Sequence, residues 1–152
     1  TYHQQIRHRL PEMLAQPLAE VLENPVKPVI PQSIVNSKFY GEFVKLYNEA
    51  VEMRKKLYEK YGAHSFGLIL NCDRIKFIIS TNARMDCQML AERICLTAQW
   101  EIRELSSKKL DILRGISPIL YKSALPSCVY GKCKEGAMTC GKADYMRKKY
   151  AL

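Results

Sequence analysis

Arg74-Ile75-Lys76-Phe77-Ile78-Ile79-Ser80-Thr81-Asn82-Ala83-Arg84 is the stretch on which the fold turns. Its first seven positions are rich in β-branched and aromatic side chains, the composition that packs on a pleated surface, and they read as a strand. Asn82 follows at the position of a helix N-cap, where its side-chain oxygen can accept from an exposed backbone N–H. The residues beyond it predict one long helix over 83–115, which Pro118 closes off. A strand delivering the chain into a capped helix predicts an α+β protein, with long helices packed on a small, mainly antiparallel sheet.

Upstream, Phe39, Phe43, Leu46, Ala50, Met53 and Leu57 recur at alternating steps of four and three, one face of a helix that reads as core. Ser37 stands where a cap would start it, and Gly62 where a left-handed residue would end it. The neighbouring Tyr40, Val44, Tyr47, Val51 and Tyr58 widen the apolar face enough to imply a second contact, with another subunit. Earlier still, Pro11, Pro17, Pro25, Pro28 and Pro31 prevent any long helix. Residues 12–22 predict a short helical piece kinked at Pro17, and residues 26–34 an extended connector.

The 152 residues, 47% of them hydrophobic, suffice for one domain with its own core. Lacking an apolar run long enough to span a bilayer, or a leader-like start, the sequence points to a cytoplasmic protein without a membrane segment. The formal charge of +9 favours phosphorylated or polyanionic partners. It is spread out rather than gathered in one stripe, which argues against nucleic acid. The part that is gathered lies in residues 132–150, with six basic and two acidic side chains, so residues 128–152 read as a Cys-containing basic tail behind a domain of residues 1–127.

Two sets of residues have the chemistry of a site. Arg7-His8-Arg9 is a compact group of donors suited to phosphate or pyrophosphate. Arg84 and Arg93, nine residues apart, fall half a turn from each other on an ideal helix, so they serve different parts of an extended ligand or sites completed by different subunits. Cys128, Cys133 and Cys140 offer three thiols, one short of a structural zinc site; His64 or a partner chain would have to supply the fourth. The spacing is not that of common zinc modules, and free thiols or an oxidised pair are the plainer account.

Arg7-His8-Arg9, then Asn82-Ala83-Arg84, then Arg93 five residues before Ala98-Gln99-Trp100-Glu101-Ile102-Arg103, resembles in order and spacing the flavin-dependent thymidylate synthases. The likeness extends from Gln4 to about Gly141. It implies that family's fold and the reductive methylation of deoxyuridine monophosphate to thymidylate, with FAD as cofactor and methylenetetrahydrofolate and NADPH as co-substrates. By the same resemblance Arg7, His8, Arg9, Asn82, Arg84 and Gln88 hold the flavin, Gln4, Arg7 and Arg93 hold the nucleotide, and Arg93 stabilises charge developing on the pyrimidine. The family pattern implies a homotetramer and assigns no metal.

The sequence also departs from that pattern. Where the family carries a Glu, a Ser and an Arg after Arg-His-Arg, this chain has Ala15, Pro17 and Ala19, and residues 64–68 lack the family's Arg before the strand. Charge-assisted hydrogen bonds contribute roughly 1.5–3 kcal/mol each, so these losses weigh against binding the usual nucleotide. Two alternatives follow: a non-catalytic flavin- or nucleotide-binding or assembly module on the same scaffold, and a basic, metal-containing nucleic-acid binder.

Overall fold

A computed structural model describes residues 2–9 and 11–150. In chain order its elements are α1 (Tyr2–Gln5), β1 (Glu12–Ala15), α2 (Leu18–Glu23), α3 (Gln32–Val35), α4 (Tyr40–Tyr61), a 3-10 turn (Gly62–Leu68), β2 (Phe77–Ser80), α5 (Ala83–Arg93), α6 (Trp100–Ile116), α7 (Pro118–Tyr121), α8 (Ser127–Tyr130) and α9 (Ala143–Lys149). β1 and β2 pair antiparallel as a two-stranded sheet, so the class is α+β. The length suggested a single domain, yet contacts divide the chain into two compact units: Met13–Ile78, and the residues flanking it up to Glu12 and from Ile79 onward. The chain crosses from one unit to the other inside the paired strands.

Two expected helices are corrected. Residues 12–22 are not one kinked helix: Pro17 has no N–H to donate and holds Gln16 extended, and Gln16 instead donates its backbone N–H to Lys76 O at 2.8 Å, continuing the ladder. The helix over 83–115 is two helices separated at residues 94–99. There the Arg103 guanidinium donates to the carbonyls of Leu96 (3.1 Å) and Ala98 (3.4 Å), satisfying acceptors that a continuous helix would have bonded to its own backbone. Asn82 caps α5 as the sequence indicates, its Oδ1 accepting from Met85 N at 3.0 Å, and Pro118 begins α7 directly behind α6.

In the unit Met13–Ile78, α4 has its expected length but buries a different face. Tyr47, Val51 and Arg54 are buried with Val21 and Leu22, whereas Leu46 and Met53 of the predicted core stripe are 55% and 61% exposed. A polar group causes the rotation. Arg54 forms a two-pronged ion pair with Asp73, Tyr47 donates its hydroxyl to the same carboxylate at 2.9 Å, and Leu70 N–H adds a further donor. Burial alone would raise the Asp73 pKa; these donors hold it below the ordinary range instead. Burial, and then the Asp73 carboxylate, push Tyr47 up to about 12. Ser37 does not cap α4: its hydroxyl donates to Ile34 O and accepts from Phe39 N. Gly62 ends α4 at φ +54°, a region side chains rarely enter.

The other unit is built on Leu90, Ile94, Leu110, Tyr121, Ala124, Leu125, Cys128 and Met146. The residues read as a tail are therefore part of its core, through Cys128 and Met146. Asp86, buried on α5, pairs with Lys109 of α6 and lies 3.5 Å from the Tyr121 hydroxyl, tying three helices together. Among the described residues no helix is long and apolar enough to cross a membrane.

Breaking a buried ion pair leaves one charge uncompensated, at a cost of about 3–5 kcal/mol. Asp73→Ala is thus expected to lower the unfolding free energy by about that amount in denaturant titration. Glu52→Ala, which removes the surface pair with Lys55, should change it by less than about 1 kcal/mol.

Candidate functional site

α5 and the segment after α1 enclose a cavity of about 310 Å³ lined by Arg7, His8, Arg9, Pro11, Met85, Gln88 and Glu92. Met85, Gln88 and Glu92 are spaced i, i+3, i+7, so one stripe of α5 forms a wall. The other wall is the Arg7-His8-Arg9 segment, held in place by α1. Gln5 is buried with its amide against the Met89 thioether, and Gln4 Oε1 accepts from Gln99 N at 3.2 Å. Neither Gln4 nor Gln5 lines the cavity.

The polar atoms around this cavity are poorly satisfied. Glu92 Oε2 stands 3.1 Å from His8 Nε2 but out of line for a hydrogen bond, so buried Nε2 makes none among the described residues. Arg93 Nε is in the same condition. Burial, reinforced by the Arg93 charge and opposed by Glu92, pushes the His8 pKa down from 6.5. Burial also lowers Arg93, with Glu92 opposing and Arg7 reinforcing. The balance is a neutral imidazole beside two guanidinium groups that one carboxylate only partly offsets, a setting that favours an anionic, hydrogen-bond-accepting ligand.

Of the residues expected from sequence, Arg7, His8, Arg9 and Gln88 line the cavity, and Arg93 stands beside it, close enough to act on His8 and Arg7. Arg84 is exposed and Asn82 is spent on capping; neither lines the cavity. Arg84 and Arg93 both belong to α5, so the half-turn between them holds despite the break after Arg93. Pro11, Met85 and Glu92 have no place in the site that the sequence predicts. Glu92 was findable, four residues after Gln88 and therefore on the same face of the helix.

All eight expected residues lie in one unit, and all the departures from the family pattern, Ala15, Pro17, Ala19 and residues 64–68, lie in the other. That second unit has its own open groove of about 360 Å³ along β1 and β2, lined by Leu14, Ala15, Gln16, Glu20, Lys76, Phe77 and Ile78. Within it Gln16 Nε2 donates to Glu20 Oε2 at 3.3 Å and Gln16 Oε1 accepts from Lys76 N at 3.2 Å. No Arg or Ser lines it.

Residues 1–119 match the profile of the family described as thymidylate synthase complementing protein. The chain belongs to that family. Its relatives include proteins named flavin-dependent thymidylate synthase. That of Clostridium tetani is 32% identical over 170 residues, covering 97% of this chain and 67% of the relative. That of Geobacter sulfurreducens is 40% identical over 78 residues, 51% of this chain and 34% of the relative. That of Thermococcus onnurineus is 32% identical over 149 residues, 90% of this chain and 60% of the relative. The chain thus spans from about a third to two thirds of the length of these family members.

The depressed His8 pKa has a thermodynamic sign. Below the unfolded value of 6.5 the unfolded chain takes up a proton that the folded imidazole refuses, so stability falls as pH drops from 6.5 through the folded pKa. Between about pH 7 and pH 5, the denaturation midpoint of the unaltered chain should fall more steeply than that of His8→Asn.

Proposed function

We propose that this chain is a flavin-dependent thymidylate synthase-like protein that holds FAD against the Arg7-His8-Arg9 cavity, in a homo-oligomer of the tetrameric kind. The observation that carries this reading is the convergence of Arg7, His8, Arg9, Gln88 and Arg93 around one cavity, with buried His8 Nε2 and Arg93 Nε making no hydrogen bond among the described residues. Those atoms fit the group: Arg93 Nε is a donor that makes no hydrogen bond among the described residues, His8 Nε2 has only its misaligned contact with Glu92, and a flavin dinucleotide brings a pyrophosphate and a ring rich in carbonyl oxygens. When bound, the flavin supplies the redox chemistry, with NADPH as reductant and methylenetetrahydrofolate as carbon donor.

The chain's own residues then have distinct tasks. Arg7 and Arg9 neutralise phosphate oxygens, His8 in its neutral form offers one N–H in a fixed direction, and Gln88 supplies an amide from the helix wall. Arg93, whose positive charge is incompletely balanced, is placed to stabilise negative charge on a deoxyuridine monophosphate ring as it becomes nucleophilic. No side-chain nucleophile is required.

Two exposed apolar stripes support the oligomer. From Phe39 at the N-cap of α4, Phe39, Leu46 and Met53 repeat at seven-residue steps, and on α6 and α7, Leu105, Ile112, Ile116 and Ile119 continue an exposed apolar row. Leu46→Lys combined with Met53→Lys is expected to reduce the molecular mass seen by sedimentation; an unchanged mass would remove α4 from the interface.

A second reading has its own observation. With Ala15, Pro17 and Ala19 in place of charged and hydroxyl side chains, the chain fits a module that binds flavin without turning over nucleotide. The purified protein is expected to show the yellow flavin absorption, and Arg7→Ala or Arg9→Ala to weaken FAD about tenfold to a hundredfold, the worth of one charge-assisted hydrogen bond. Colourless protein with no FAD binding would end both readings. Flavin binding with no affinity for deoxyuridine monophosphate would select the second.

A further inference from the structure

Two neighbouring residues of α1 reach two distant places on the chain that follows. Gln5, buried, lays its amide 2.7 Å from the Met89 sulfur on α5, and Gln4 Oε1 accepts from the backbone N–H of Gln99, the N-cap of α6, at 3.2 Å. An unbroken helix would hold Met89 and Gln99 about 15 Å apart, while the Cα atoms of Gln4 and Gln5 are about 3.8 Å apart. Both contacts therefore need the chain to turn back between α5 and α6. Arg93 lies inside the span they close, one helical turn beyond Met89 and so on the same face of α5. Glu92 beside it comes to 3.1 Å from His8 Nε2, which places this last turn of α5 against the Arg7-His8-Arg9 segment.

Across the turn, Ile94 is seated in the core and Ala98 N–H donates to Cys95 O at 3.0 Å. The carbonyls of Leu96 and Ala98 are both taken by a single nitrogen, Arg103 Nη1, at 3.1 and 3.4 Å. Arg103 stands in the first turn of α6, and its backbone N–H donates to Gln99 O at 3.1 Å. One residue thus fixes the turn through its side chain and the start of α6 through its main chain.

We propose that, on the reading of the cavity as the ligand site, Arg103 is a positioning residue: by holding the Leu96 and Ala98 carbonyls it keeps the turn closed on α1 and so fixes Arg93 against the Arg7-His8-Arg9 wall. Without the guanidinium those carbonyls turn to water or to a lengthened α5, the span from Met89 to Gln99 opens, and α1 keeps one of its two contacts. Arg93 then loses its set distance from His8. Arg103 itself does not line the cavity, so its influence runs through the turn alone.

His8 reports that distance without any ligand. Burial, and then the Arg93 charge, hold its pKa below 6.5 against the pull of Glu92, so a displaced Arg93 lets it rise. Proton NMR titration of the full, ligand-free chain, with the His8 signal identified by its loss in His8→Asn, is expected to show a higher His8 pKa in Arg103→Gln, as in Arg93→Gln. The two together should give no further rise. Arg103→Lys should restore the unaltered value, since one nitrogen serves both carbonyls. His8 unmoved in either neutral variant would overturn the proposal, even if the denaturation midpoint falls, as would a rise from Arg103→Gln that persists on top of Arg93→Gln. Should Arg103→Gln not fold, the unaltered chain decides: slow rotation of the Arg103 guanidinium, seen as separate Nη signals, is expected, and free rotation would overturn the proposal. In chain loaded with FAD, Arg103→Gln should weaken deoxyuridine monophosphate about tenfold, without adding to the effect of Arg93→Gln. A chain that takes up neither ligand would end the proposed function, while the His8 titration would still decide the role of Arg103.

Discussion

The end of α5 at Arg93 is the constraint on which the arrangement of the site-bearing unit depends. Had the helix continued, residues 94–99 would have carried the chain straight on, and Ile94 would not be anchored among Leu90, Leu110 and Leu125 with α6 turned back beside α5. The break is held by Arg103, whose guanidinium takes the Leu96 and Ala98 carbonyls, and by the seating of Ile94 in the core. Arg93 is left as the last residue of a rigid helix. A side chain at that position is aimed by the whole of α5 while its neighbours are set by the turn.

Where polarity and burial coincide, the sequence was hardest to read. The α4 stripe was chosen by apolar period, and the period was real; the face that faces inward is instead chosen by Arg54 and Tyr47 closing on Asp73, a preference that hydrophobic spacing does not register. The same holds for residues 12–15, where a four-residue strand is dictated by its distant partner Phe77–Ser80 and by Pro17 rather than by local pattern. By contrast, Asn82 as a cap, Gly62 as a terminator and Pro118 as the stop behind a helix are local in their physics and were legible at once; that Pro118 also starts α7 was not read.

The candidate site divides along the same line. Arg7, His8 and Arg9 were legible as a motif and Gln88 through the family resemblance, and their shared cavity follows from α1 and α5 lying in one unit. Glu92 and Met85 owe their place to helical phase alone. What no spacing could reveal is the electrical state of the site: the neutral imidazole and the incompletely balanced Arg93 arise from burial, which only the packed chain determines.

The strand pair through which the chain enters and leaves Met13–Ile78 has a structural corollary. Because β1 and β2 run side by side, the segment between them is looped out from the base of a ladder, and lengthening, shortening or recasting it adds only a slowly growing closure entropy. Residues 13–78 are in that sense a cassette: Ala15, Pro17 and Ala19 lie inside it while Gln88 and Arg93 stand on a helix of the other unit, so a change confined to the cassette leaves the core contacts of α5 untouched.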